Sequence, residues 1–253
     1  MILKASLHIH TKEDRKDGHM IAYDVYQLID EARRCGFRVL GFTPHQKYVF
    51  KEEYAEYARK KGIILIPGVE RNLGRVTGKH VIILNCDQSI EKVRNFKQLI
   101  EYKKQHPDIF ILSPHPTYSR IVSIGVRNLR KYISVFDAVE HSWLYSIRMN
   151  RNLKAEKIAR EHNKPMIATA DVHVLKKLDT DYSLIEADEF TRDGVLRAIK
   201  QGNFENVTFP KKYIDLIFYL IWTILKYAYK YFEQKILLLG VRKLLFERVK
   251  SED

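Results

Sequence analysis

The sequence predicts a mainly parallel α/β sheet closed into a barrel, with a separate helical tail. Short apolar runs alternate with helix-length segments over residues 1–209, the strand, helix, strand order of such sheets. Seven of those runs have a histidine, aspartate or glutamate close to one end, which points to one shared site where strand ends converge on a rim. The composition then changes at Pro210, where a strongly apolar stretch begins. An open doubly wound sheet is the alternative, but candidate ligands spread over so many strand ends favour closure.

The elements follow in order. Run 1–7 delivers His8 and His10, and residues 22–35 place Val25, Leu28, Ile29 and Ala32 at helical spacing before Gly36 ends the helix. Run 38–43 delivers His45, and the charged stretch 51–61 reads as a solvated helix stopped by Gly62. Run 63–69 delivers Glu70; a hairpin turn is expected over 74–79, with His80 preceding the strand 81–85 instead of following it. A helix over 90–105, a strand over 109–113 with His115, and a strand over 134–139 with Glu140 come next. A helix over 149–162, a strand over 166–170 with Asp171 and His173, and a helix over 193–200 closed by Gly202 complete the alternation.

At 253 residues, with 45% hydrophobic and 30% charged residues, the chain can bury a real core, so disorder is excluded. A formal charge of +13 favours an anionic partner, whether phosphate ester, nucleic acid or lipid head group. The two cysteines, Cys35 and Cys86, form no C-x-x-C and suit a reducing cytoplasm. Met1 leads straight into a strand, so no signal peptide is expected and a cytoplasmic location is.

His8-Ile9-His10 is the strongest local signal, because side chains two apart on a strand face the same way and can bind one ion. Thr43-Pro44-His45, Gly68-Val69-Glu70, Ser113-Pro114-His115-Pro116 and Ala170-Asp171-Val172-His173 follow it. Imidazoles and carboxylates without thiolates suit Zn, Mn or Fe. His19, His106 and His162 lack ligand spacing and read as surface residues, whereas Glu140 and His141 should approach the cleft in a supporting role.

These motifs, in this order, resemble those of the PHP family, the polymerase and histidinol phosphatase superfamily of metal-dependent phosphoesterases. Leu7-His8-Ile9-His10-Thr11 matches the family's opening motif, Thr43-Pro44-His45 its usual T-D-H, Glu70 its glutamate after a buried strand, and Ala170-Asp171-Val172-His173 its closing motif. The resemblance covers residues 1–209 and implies a distorted (β/α)7 barrel of the PHP type, with 210–253 a C-terminal helical appendage. It further implies two or three divalent ions. Carried over by position, His8, His10, Glu70 and Asp171 hold the first ion, and Glu70 bridges to a second on His80 and His115. His45 and His173 hold a third with Asp17, which is preferred to Asp14 because Gly18 follows it. Pro44 departs from the pattern, removing a carboxylate that would orient an imidazole and leaving the loading of the third position open.

The activity implied is hydrolysis of a phosphate ester, with a phosphorylated small molecule or nucleotide as substrate and metal-activated water as nucleophile. Arg71 and Arg120 are the expected cationic clamps on the phosphate, with plain surface solvation the competing reading for each. Two alternatives stay open: a non-catalytic metal-containing module that binds nucleic acid or an anionic membrane, and a nuclease acting on phosphodiesters. In the tail, residues 213–232 carry an apolar stretch at 216–225 that falls short of the roughly 20 residues of a membrane span. That stretch admits packing on the barrel, a homo-oligomer contact, or peripheral attachment to an anionic membrane surface.

Overall fold

The strand order explains how one rim comes to hold so many polar side chains. The computed structural model describes residues 1–74, 78–119, 122–219, 221 and 225. Among them, nine strands and six α-helices alternate: β1 (Ile2–Ile9), α1 (Val25–Arg34), β2 (Val39–Phe42), α2 (Glu52–Lys60), β3 (Ile64–Asn72), β4 (His80–Leu84), α3 (Phe96–Gln105) and β5 (Phe110–Ser113). They continue with α4 (Gly125–Tyr132), β6 (Ala138–Ser142), α5 (Asn152–Glu161), β7 (Met166–Thr169), β8 (Tyr182–Glu186), α6 (Arg192–Gln201) and β9 (Phe204–Val207).

The strands form one sheet in the order β7-β6-β5-β4-β3-β2-β1-β8-β9. Its two edges meet, and the seam is sewn by side chains where no strand ladder exists. The Asn206 amide on β9 acts as a surrogate strand for β7: its Oδ1 accepts from Ala168 N at 2.8 Å and its Nδ2 donates to Met166 O at 2.8 Å. Ser183 of β8 adds a bond from its hydroxyl to Ala168 O at 3.1 Å. At the rim, His10 N donates to Val172 O and Val172 N to His8 O, both at 3.0 Å, so the two chain segments richest in candidate ligands are stitched together.

Each helix buries an apolar stripe: α1 and α2 in a cluster with Ile9 and Phe42, α3 to α5 in a second, and α6 against the residues that fill the barrel. Val25, Leu28, Ile29 and Ala32 of α1 are buried, as the spacing predicts, and the helix starts with a capping box in which Asp24 and Gln27 exchange side-chain to backbone bonds. Gly202 closes α6 with a φ of +80°, a left-handed turn that favours glycine. The barrel interior is filled by Leu3, Ala5, Leu7, Ile66, Ile82, Leu112 and Ile167, all buried.

The barrel class is as expected, with three corrections. The sheet has nine strands, not seven, because 182–186 and 204–207, joined through α6, form an antiparallel pair whose first strand pairs with β1. The sheet is not mainly parallel: four of its eight strand pairs are antiparallel, two of them through β4, which follows β3 as the expected hairpin. The strand expected over 134–139 begins only at Ala138; Ile133–Val135 make a single 3-10 turn.

The chain divides into two compact units, the first made of Met1–Tyr145 and Met149–Pro210, the second taking Ser146–Arg148 and the residues from Lys211 onward. In the second, residues 213–219 are helical, with Ile214 and Phe218 exposed. Most of residues 213–232 lies outside the described residues. No helix among the described residues is long and apolar enough to cross a membrane.

Candidate metal centre

β1 changes face halfway along. Leu3, Ala5 and Leu7 point into the barrel, yet so do His8 and His10, which simple alternation would send outward. A bulge resolves this: Ser6 pairs with Leu40 but Ile9 with Phe42, one residue more on β1 than on β2. Such an insertion inverts the alternation. Ile9 therefore joins Leu28, Ile29 and Phe42 beneath α1, and the histidines on either side of it turn inward. Gly41 makes room for the bulge, since a Cβ there would lie 2.6 Å from Leu7 O and 2.8 Å from Leu7 Cα.

The other strands deliver their ligands more simply. Glu70 shares the inward side of β3 with Ile66, and His80 opens β4 on the same side as Ile82; the antiparallel course of β4 brings its first residue to the rim where the others bring their last. His45 makes an isolated bridge to Glu70 just beyond β2. His115 and Asp171 follow β5 and β7 with φ of +28° and +46°, left-handed values that cost a non-glycine residue strain and are characteristic of functional sites.

Four groups enclose one point. His8 Nε2 lies 3.4 Å from Glu70 Oε2 and 3.3 Å from Asp171 Oδ1; His10 Nε2 lies 3.4 and 3.5 Å from the same two oxygens. A tetrahedral ion bound at about 2.0–2.1 Å has ligand-to-ligand edges of about 3.3–3.4 Å. The cage therefore has the edge lengths of a metal site, and they are too long for direct hydrogen bonds. His8 Nε2, His10 Nε2 and Asp171 Oδ1 are buried without any hydrogen-bond partner, an arrangement that costs free energy unless a cation satisfies them. Oxygen Oε1 of Glu70 faces the other way, 2.5 Å from His80 Nδ1 and 3.2 Å from His115 Nε2, so the carboxylate can bridge two ions. His45 Nε2 is 3.0 Å from Glu70 Oε2, and His45 and His173 stand with His10 in a further group close enough to share an ion.

Electrostatics point the same way. Burial opposes charge on His8, but Asp171, Glu70 and Glu140 outweigh it and hold its pKa well above the ordinary value. His45 is pushed up to about 9 and His173 to about 10, again against burial, by Glu70 and Asp14 in one case and by Asp171 and Asp17 in the other. Glu70 is buried and Asp171 half-buried with its Oδ1 enclosed, yet the surrounding imidazoles hold both far below the carboxylate range. His10 and His80 move the opposite way, lowered first by burial and then by neighbouring histidines. Protons thus crowd onto a carboxylate-rich cage in which metal ions would compete for the same lone pairs.

Eight of the nine expected ligands converge in this cage: His8, His10, His45, Glu70, His80, His115, Asp171 and His173. Asp17 sits at its mouth, with Oδ2 3.7 Å from His173 Nε2 and 3.9 Å from His45 Nδ1. Asp14, set aside on sequence, is buried against two of the histidines, 2.8 Å from each. Glu140 is fully buried and supports the cage from below, accepting from His115 N and from the Thr169 hydroxyl and lying 3.5 Å from His8 Nδ1. The Tyr23 hydroxyl, unremarked in the sequence, donates to His10 O at 2.6 Å and Val172 O at 3.0 Å and so ties the first motif to the last.

The clamp expected at Arg71 does not form. Arg71 alternates with Glu70 on β3 and so points outward, where its guanidinium binds the backbone oxygens of Gln46, Glu91 and Val93. It is a pin between loops, not a phosphate ligand. Arg120 lies outside the described residues.

Residues 150–204 match the PHP-associated family. Solved structures with a similar fold include a two-domain protein from Bacteroides vulgatus containing a predicted PHP-like metal-dependent phosphoesterase. It is 19% identical with a TM-score of 0.64, over 82% of this chain and 65% of that one. A lesion-specific endonuclease, PfuEndoQ of Pyrococcus furiosus, is 15% identical with a TM-score of 0.57, over 81% of this chain and 58% of its own. PsfC of Pseudomonas syringae is 12% identical with a TM-score of 0.56, over 90% of this chain and 98% of its own. This chain spans less than two thirds of the first two. No curated protein matches it. The resemblance to the PHP superfamily thus holds both in the fold and in the matched segment.

Proposed function

We propose that the chain is a metal-dependent hydrolase of phosphate esters, with a phosphomonoester or nucleotide as substrate. The observation that carries this reading is the four-sided cage of His8, His10, Glu70 and Asp171, with edges of 3.3–3.5 Å around orphaned polar atoms. His8, His10, Glu70 and Asp171 would hold one ion, and Glu70, His80 and His115 a second. Zn, Mn and Fe all suit this donor set. When bound, a pair of such ions polarises a phosphoryl oxygen and brings the pKa of water between them toward neutrality.

The chain's own groups do the rest. Glu70 holds both loci at a fixed separation through its two oxygens, and Glu140 keeps His8 and the His115 backbone in place. With Arg71 committed elsewhere, the cation best placed for a phosphate is Lys16, half-buried on the loop between Asp14 and Asp17. Its backbone N–H binds Asp14 Oδ1 at 2.8 Å, on the loop that also carries Asp17 at the mouth of the cage. Its ammonium would meet the substrate oxygens that the ions leave free.

A panel of phosphomonoesters and diesters offered to metal-loaded protein tests this reading. Turnover of an aryl phosphate is expected, and Lys16→Ala should raise KM about tenfold, the loss of one exposed charge contact of roughly 1.4 kcal/mol. Loaded protein inert on the whole panel would refute the assignment. A phosphodiester substrate is the second reading, favoured by the likeness in fold to PfuEndoQ and by the charge of +13.

A further inference from the structure

Pro44 stands where the resemblance leads one to expect an aspartate, so the carboxylate that would orient an imidazole at that point is missing. The structure supplies one from elsewhere. Asp14 lies thirty-one positions from His45 in sequence, but its Oδ2 accepts from His45 Nδ1 at 2.8 Å, from His45 N at 2.8 Å and from His10 Nδ1 at 2.8 Å. Its Oδ1 accepts from Lys16 N at 2.8 Å and Asp17 N at 3.2 Å. Asp14 itself is only 3% exposed.

Five donors fall on an ionised carboxylate that has about four lone-pair sites. Nothing remains with which to bind an ion. Two Nδ1–H groups on one oxygen orient both rings and turn each Nε2 inward: His10 Nε2 toward the cage, His45 Nε2 toward Glu70. The rings of His10 and His45 stack at 4.3 Å, so one anchor can serve both.

We propose that Asp14 is a positioning residue that takes over the orienting role Pro44 cannot play, coupling His10 and His45 and leaving Asp17 as the loop's ligand. The loop is folded for this purpose. Asp14 N donates to Thr11 O and Gly18 N to Asp14 O, a compact turn that lowers the carboxylate onto the two rings and leaves Asp17 at the mouth.

This inference rests on the metal reading above, and one experiment separates their failures. Wild type, Asp14→Ala, Asp14→Asn and Asp17→Ala are loaded with zinc. For each, ions per chain are measured by elemental analysis, affinity by competition with a chromogenic chelator, and imidazole Nδ1–H protons by NMR. Asp14→Ala is expected to keep the wild-type number of ions at roughly 10–100-fold weaker affinity, and to lose the slowly exchanging Nδ1–H signals of both His10 and His45. Asp14→Asn preserves the shape, covers the case in which the alanine variant fails to fold, and should shift or lose both signals together, since both Nδ1–H groups share one oxygen. Unchanged affinity with both signals intact would overturn the proposal. So would the loss of a whole ion in Asp14→Ala with none lost in Asp17→Ala, because Asp14 would then be a ligand. A wild type that takes up no zinc sinks the centre itself.

Discussion

The two ends of the barrel interior are built from the same strands and obey opposite rules. Toward one end, Leu3, Ala5, Ile66, Ile82, Leu112 and Ile167 interdigitate in a dry core with no polar atom to satisfy. A few residues along the same strands, the inward positions become His8, His10, Glu70, His80 and Glu140, equally buried and in part without partners. Burial alone therefore says nothing about role; what differs is whether the buried atoms are satisfied. The first layer lowers the free energy of the fold, while the second raises it until cations arrive, and it also contains the strained backbone at His115 and Asp171.

The largest effect that would break this contrast is at the cage. His10→Ala and Asp171→Ala each remove a cage corner, and turnover should fall by more than the ~100-fold typical of losing a mere orienting partner, with thermal stability of the metal-free protein little changed or raised. Steady-state rates at saturating metal, beside melting curves in chelator, check both halves. Ile82→Ala is the mirror experiment. It should cost about 2–5 kcal/mol of stability from the cavity it opens, while ions bound per folded chain stay at the wild-type value. Denaturant titration with elemental analysis would expose an error if stability held and metal was lost.

Much of this was legible because the ligands sit next to runs whose strand character is local. His8-Ile9-His10, Glu70 and Ala170-Asp171-Val172-His173 each follow an apolar run long enough to declare itself, and the chain order of the motifs supplied the rest. What was hidden depends on contacts between distant segments. Arg71 looked available beside Glu70, yet its fate is decided by the carbonyls of Gln46, Glu91 and Val93, which no local pattern brings near. Asp14 lost to Asp17 on a dipeptide cue, and only the approach of His45 reveals what it does. The antiparallel pair of β8 and β9 was missed because its outward positions, such as Glu186 and Glu205, leave little apolar periodicity to read. One signal was present and unused: Gly41 in the middle of a strand marks the bulge that turns both histidines inward.

Gly41 is where the two regions meet, so its substitution should damage both by an intermediate amount. Gly41→Ala forces a Cβ against the Leu7 backbone, and overpacking of this kind costs about 1–3 kcal/mol. If β1 relieves the clash by straightening its bulge, His8 and His10 leave the cage together. The expected result is lowered stability with metal affinity reduced in parallel. Lowered stability with unaltered affinity would show that the bulge survives and that the histidines are held by Asp14 and Val172 instead.

The last expected effect is on the pH dependence of the metal-free protein. His45 and His173 have folded pKa values raised to about 9 and about 10 from an ordinary 6.5, so their contribution is complete below pH 6.5 and is lost as pH rises through 9 to 10. His10 and His80 are lowered, so their contribution is present above pH 6.5 and is lost as pH falls below it. The opposing shifts leave the chelated protein most stable near pH 6.5, with a decline on the alkaline side to which His8, also raised, contributes. Metal changes the alkaline limb specifically: a bound histidine is already neutral, so no protonation is left to lose between pH 6.5 and 10. Melting temperatures of loaded and chelated protein should therefore diverge as pH rises across that window. Curves that stay parallel there would mean that His45 and His173 keep their protons when metal binds, and that the cage of His8, His10, Glu70 and Asp171 fills without them.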